Sequence, residues 1–175
     1  MATTIKGTGI IASTDFHTVV WTGKTKKGNA ISITLNNAIN KDNIDLSMVE
    51  KDDTVAALTF TAAYANTNAM VATASDYEEP WSITYANGSS DEAADCILLG
   101  AGIVSIDGTD IALTRGGSQF TVTREFRNIN ADGDRGTVNG RVVMDGSEAT
   151  LTVNALTFLN HITTIYPAVT VTTTT

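Results

Sequence analysis

Residues 120–158 read FTVTREFRNINADGDRGTVNGRVVMDGSEATLTVNALTF, and this stretch decides the fold. In Phe120-Thr121-Val122-Thr123 apolar and polar residues alternate, the period of a strand with one wet and one dry face. Arg141 to Met144 and Glu148 to Phe158 flank Met144-Asp145-Gly146-Ser147, and Asp-Gly between two apolar-patterned runs predicts a tight hairpin turn. Glycine takes the backbone angles of such a turn without a Cβ clash, and aspartate tolerates them better than most. Ala131-Asp132-Gly133-Asp134-Arg135-Gly136 forms a glycine-rich acidic crossing between these strands. This half of the chain is predicted to be antiparallel sheet.

The same period recurs outward from that stretch. Ile103 to Ile106 and Ile111 to Thr114 predict a hairpin across Asp107-Gly108-Thr109-Asp110. Ile31, Ile33 and Leu35 alternate with polar partners, as do Ile44, Leu46 and Met48 after an expected loop from Asn36 to Asn43. Glu50-Lys51-Asp52-Asp53 reads as a charged turn before Leu58, Phe60, Ala62 and Tyr64 on one face of a further strand. Val19 to Trp21 and Trp81 to Tyr85 read as short strands, and Lys24 to Gly28 as a basic turn. Between Ala65 and Glu79 the composition favours a short helix or a long loop, ended by Pro80. The fold expected is mainly β, an antiparallel β-sandwich or flattened barrel with at most one short helix. It forms a single domain over 1–175, with segments 1–18 and 160–175 as candidate flexible ends.

Composition narrows the function classes. A chain of 175 residues that is 42% hydrophobic and 17% charged can bury a sizeable core. Its net charge of −8 argues against wrapping nucleic acid, because phosphate binding draws on lysine and arginine to displace condensed counterions. A single cysteine, Cys96, beside Ile97, Leu98 and Leu99, cannot close an internal disulfide and reads as a small buried hydrophobe. Met1 to Phe16 shows no secretory leader and no apolar run reaches spanning length, so folding in a cytoplasm is expected.

The motifs that could carry chemistry are incomplete. Gly23-Lys24-Thr25 ends like a phosphate loop, but Thr18 stands where its first glycine belongs. Gly7-Thr8-Gly9 has no room upstream for the strand of a dinucleotide fingerprint. Asn130, Asp132 and Asp134 alternate as in a calcium loop, yet Arg135 and Arg141 occupy the places of its glycine and its bidentate glutamate. His17 and His161 have no spaced second ligand, and Glu78-Glu79 point opposite ways on an extended chain and read as a solvated rim. No catalytic residue, cofactor site or metal site is assigned, and an enzyme is not expected.

Beyond these local readings, the chain resembles the tail tube (major tail) proteins of tailed bacteriophages. The resemblance lies in Leu113-Thr114-Arg115-Gly116-Gly117, Phe120-Thr121-Val122, Arg127, Ala131 to Gly136, Val138, Gly140-Arg141 and Ala149 to Leu156, and extends to Ile31 to Tyr64. It implies a virion protein, assembled in the host cytoplasm, whose homo-oligomeric rings, hexameric in that family, stack into a conduit for DNA. The implied partners are further copies of the chain, other tail proteins and transiently passing DNA. Under that resemblance Asn36, Asn37, Lys41, Asp42, Glu50, Lys51, Asp52 and Asp53 are candidates for contacts between subunits or rings. Asp45, Asp132, Asp134 and Asp145 are candidates for a lumen or an acidic loop, and Lys24, Lys26 and Lys27 for a contact with the next ring. A tailocin or contractile injection tube is the alternative, and an exported adhesin or pilus-like module a weaker one.

Overall fold

The computed structural model describes residues 2–44, 55–64, 79–85, 98–156 and 159–174. Its strands are β1 (Ala2–Gly7), β2 (His17–Thr25), β3 (Ala30–Asn40), β4 (Ala56–Thr61), β5 (Trp81–Tyr85), β6 (Leu98–Ile106), β7 (Thr109–Asn128), β8 (Val142–Ala155) and β9 (Val169–Thr174). A short helix, α1 (Ile162–Ile165), follows β8. The fold is mainly β and all the pairings are antiparallel. The expected helix or loop between Ala65 and Glu79 falls, but for Glu79, outside the described residues, as do Leu46, Met48 and Cys96.

Two sheets form a sandwich. One contains β5, β3, β2, β6 and the start of β7; the other contains the rest of β7, then β8, β4 and the end of β3. Thus β3 and β7 each pass from one sheet into the other, and both carry a local kink at the crossing. In β7 the ladder breaks between Thr114 and Ser118, where Gly116 and Gly117 sit at φ +87° and +96°, angles a side chain would resist. In β3 the break comes at Asn37, φ +48°, one of the few non-glycine residues that tolerates this region. Strands that change sheets in this way make the corners of a sandwich.

That corner corrects the expected Asn36–Asn43 loop, because β3 runs on to Asn40 and leaves Asn36 and Asn37 inside a strand. The backbone N–H of Asn36 donates to the Pro80 carbonyl at 2.8 Å, so the position is held by pairing on its flank. A second correction concerns Asp145-Gly146. Instead of a turn, β8 continues through them, with Gly146 opposite Glu125 and Met144 opposite Phe126. Asp145 is therefore the extra residue of a β-bulge. The reversal between β7 and β8 lies at 129–141, since twelve paired positions on the long ladder outweigh one local turn preference.

Val19, Trp21, Ile31, Leu35, Val104 and Ile106 from one sheet meet Leu58, Phe60, Leu151 and Val153 from the other in the core. Trp21 lies flat on a floor made by Gly23 and Gly102. A Cβ at Gly102 would fall 2.4 Å from the indole, and one at Gly23 would fall 2.3 Å from it. Such contacts admit only glycine on both neighbouring positions. The predicted 103–106 hairpin is present, and Asp107 at its turn clasps the start of β2. Its carboxylate accepts the Thr18 N–H at 2.8 Å and lies 2.7 Å from His17 Nδ1. Ile162, Ile165 and Tyr166 add the side chains of the α1 region to the core. The two ends of the chain then pair with each other, β1 with β9 from Ala2 opposite Thr174 to Gly7 opposite Val169.

Candidate assembly surface

The β7–β8 hairpin is longer than the sheet it belongs to. β4 lies alongside β8 only as far as Thr61 opposite Thr150, whereas β7 and β8 stay paired to Asn128 opposite Val142. Beyond Thr123 the two strands therefore form an arm with no third strand among the described residues. Side chains alternate along a strand, so Phe120, Val122, Arg124 and Phe126 share one face of β7. Met144 and Val142 share it too, because they stand opposite Phe126 and Asn128. Phe120 and Val122 pack against the core, but Phe126, Val142 and Met144 are 63%, 45% and 42% exposed. The core-facing surface of the second sheet continues onto the arm, and the first sheet does not cover it.

Arg124 marks where that cover ends. Its guanidinium stands 5.8 Å from the centre of the Trp81 ring and bonds Glu79 at 2.9 and 3.0 Å. Trp81 Nε1 also donates to Glu79, and the Trp81 and Phe120 rings lie 5.5 Å apart, tilted by 59°. The Arg124 hydrogen bond is the chief reason that the Glu79 carboxyl is held below its ordinary range, while burial pushes the other way. Glu79 is thus a latch between β5 and the arm, which corrects its reading as a solvated rim.

The opposite face and the tip of the arm are closed upon themselves. Arg127 grips Asp145 with two bonds, at 2.8 and 3.1 Å, and this pair lowers the Asp145 pKa. At the tip Asp134 accepts the Ala131 N–H at 2.7 Å and Arg141 Nη1 at 2.8 Å. Asn128 Nδ2 donates to Thr137 Oγ1 at 3.2 Å. Of the supposed calcium loop, Asp134 is therefore engaged within the turn itself through Oδ2, and no group of three His, Cys, Asp or Glu side chains among the described residues could hold a metal. Of the candidate lumen carboxylates, Asp134 and Asp145 are neutralised by arginines and Asp132 is exposed at the tip; Asp45 lies outside the described residues.

Lys41 and Asp42 lie just past β3 and line a groove of about 230 Å³ with Ile11, Asn40, Ile44, Tyr166, Pro167 and Val169. The N–H of Asp42 donates to Asn40 Oδ1 at 2.8 Å, which folds the chain back at the groove wall. Ile11 and Ile44 are 59% and 46% exposed there. Glu50, Lys51, Asp52 and Asp53 lie outside the described residues. Lys24 belongs to β2 and Lys26 and Lys27 to the exposed turn after it; Gly23 forms part of the floor under Trp21, so Gly23-Lys24-Thr25 is strand and not a phosphate loop.

Phe126, Val142, Met144 and Ile11 were not singled out by sequence reasoning. The available signal was length: the apolar alternation of Phe120 and Val122 resumes at Phe126, far past what a six-residue neighbour such as β4 can cover. No helix among the described residues is long and apolar enough to cross a membrane. Comparison with known protein families, curated proteins and solved structures finds no match.

Proposed function

We propose that the chain is a structural subunit of a phage tail tube, whose copies assemble into stacked rings around a channel for DNA. The observation that carries this reading is the exposed apolar face of Phe126, Val142 and Met144, which prolongs the core surface on an arm with no third strand among the described residues. A neighbouring subunit would supply the missing layer. The resemblance of Leu113 to Leu156 to tail tube proteins names the assembly, and the two-sheet β body, in which β5 pairs on one side only among the described residues, suits it.

The role of the subunit is passive. A conduit has to guide a polyanion without retaining it, and a chain of net charge −8 offers few cations for counterion release. Rings would be completed in the host cytoplasm, joined there by other tail proteins, and carried in the virion. The tube of a tailocin or contractile injection machine would use the same subunit inside a sheath, and a neighbouring sheath gene decides between them. Negative-stain electron microscopy of the purified protein tests the proposal: annular particles or tubes support it, and a strictly monomeric population at high concentration refutes it.

A further inference from the structure

We infer that the arm of one copy inserts Phe126 and Met144 into the groove between Ile11, Ile44, Tyr166 and Pro167 of a second copy. Two of the apolar surfaces exposed among the described residues differ in shape and share no residue. One protrudes, with Phe126 at 63% exposure; the other is recessed, about 230 Å³, enough for the end of an aromatic or thioether side chain. Shape and polarity match a projection to a hollow.

Charge favours a second copy's arm as the occupant. Residues 123–147 hold four arginines and four carboxylates, so the net charge of −8 sits wholly on the rest of the chain. Two bodies of that charge repel, and the neutral arm is a region of a copy that approaches another body without that penalty. Lys41 and Asp42 at the groove rim also sum to zero and face an arm tip that carries Asp132 and Arg135. An unlike pair of patches forms a heterologous contact, which repeats from copy to copy and closes into a ring when the rotation permits. The contact deepens the tube reading and rests on it only for that closure.

Complementation between two crippled variants tests the contact. Phe126→Asp spoils the arm and leaves the groove, whereas Ile11→Asp with Ile44→Asp spoils the groove and leaves the arm. All three sites are exposed, circular dichroism verifies folding, and Met144→Ser serves as a milder arm variant. In analytical ultracentrifugation the unaltered protein should associate with rising concentration, and each variant should associate at least tenfold more weakly. Their equimolar mixture should form a one-to-one heterodimer, since one intact arm and one intact groove remain. A Phe126→Asp protein that assembles like the parent, or a mixture that stays monomeric, overturns the contact. Tubes formed by both parent and variants would overturn the contact but spare the tube, whereas complementing variants of a parent that forms only open chains would spare the contact and refute the tube.

Discussion

The inner and outer halves of the β7–β8 hairpin share one ladder and one alternation, yet they do opposite things. In the inner half Leu151 and Val153 are sealed beneath the other sheet; in the outer half Met144 and Val142, on the continuing face of the same strand, meet solvent. Alternation reports which face is apolar, and it is silent on what covers that face. Coverage depends on the length of the opposing sheet, so a hairpin that outruns its neighbours turns core pattern into contact surface.

Paired truncations along β8 should expose this difference most strongly. Leu151→Ala is expected to lower the stability of the dilute monomer by about 2–5 kcal/mol, the range for emptying a packed site. Met144→Ala should change it by less than about 0.5 kcal/mol, because its surroundings are already open. Urea denaturation of both variants measures the contrast, and equal losses would show that the arm is covered within a single copy. Next in size is Gly102→Ala, whose methyl would enter the Trp21 indole; a loss of about 1–3 kcal/mol is expected, as for an overpacked core. In a Trp21→Val background the same change should become nearly neutral, which separates the close approach from glycine's backbone freedom.

The strands of the body were legible because burial and alternation agree there. Leu58 and Phe60 face inward as their spacing requires, and the 103–106 hairpin forms at its Asp-Gly pair. Asp145-Gly146 has the same two letters and a different outcome. Its flanking strand is bound along its whole length to β7, so the local preference is absorbed as a bulge. Asn36 and Asn37 looked like loop because a corner in a strand uses loop residues. The acidic crossing was legible as a turn, but its pairing with Arg141 and that of Asp145 with Arg127 join residues seven and eighteen apart, which no short window reports. The groove draws Ile11, Ile44 and Tyr166 from three distant segments, and nothing in their spacing foretells it.

The latch at the base of the arm should show a smaller effect with a definite pH sign. The folded-state pKa of Glu79 lies below the ordinary value of 4.5, so folding favours its charged form. Its stabilisation is therefore complete above about pH 4.5 and fades as the pH falls through the depressed folded value. Glu79→Gln should cost about 1 kcal/mol at neutral pH and remove that share of the acid sensitivity. If the acid limb of the stability profile is unchanged in the variant, Glu79 is not what holds the arm's base.

The smallest effect belongs to deletion of Asp145, and its smallness is what makes it informative. As the surplus residue of a bulge, Asp145 can be removed with Gly146 still opposite Glu125 and Met144 still opposite Phe126. The apolar face would keep its composition, and only the exposed pair with Arg127 would be lost. Amide hydrogen exchange should then show β7 and β8 protected as before, with an unaltered denaturation midpoint. Were Asp145-Gly146 a turn, the same deletion would separate the flanking strands or slip their register by one, carrying Met144 and Val142 to the other face. Loss of protection across 118–128 in the deleted chain would restore the turn and remove the continuous face on which assembly through the arm depends.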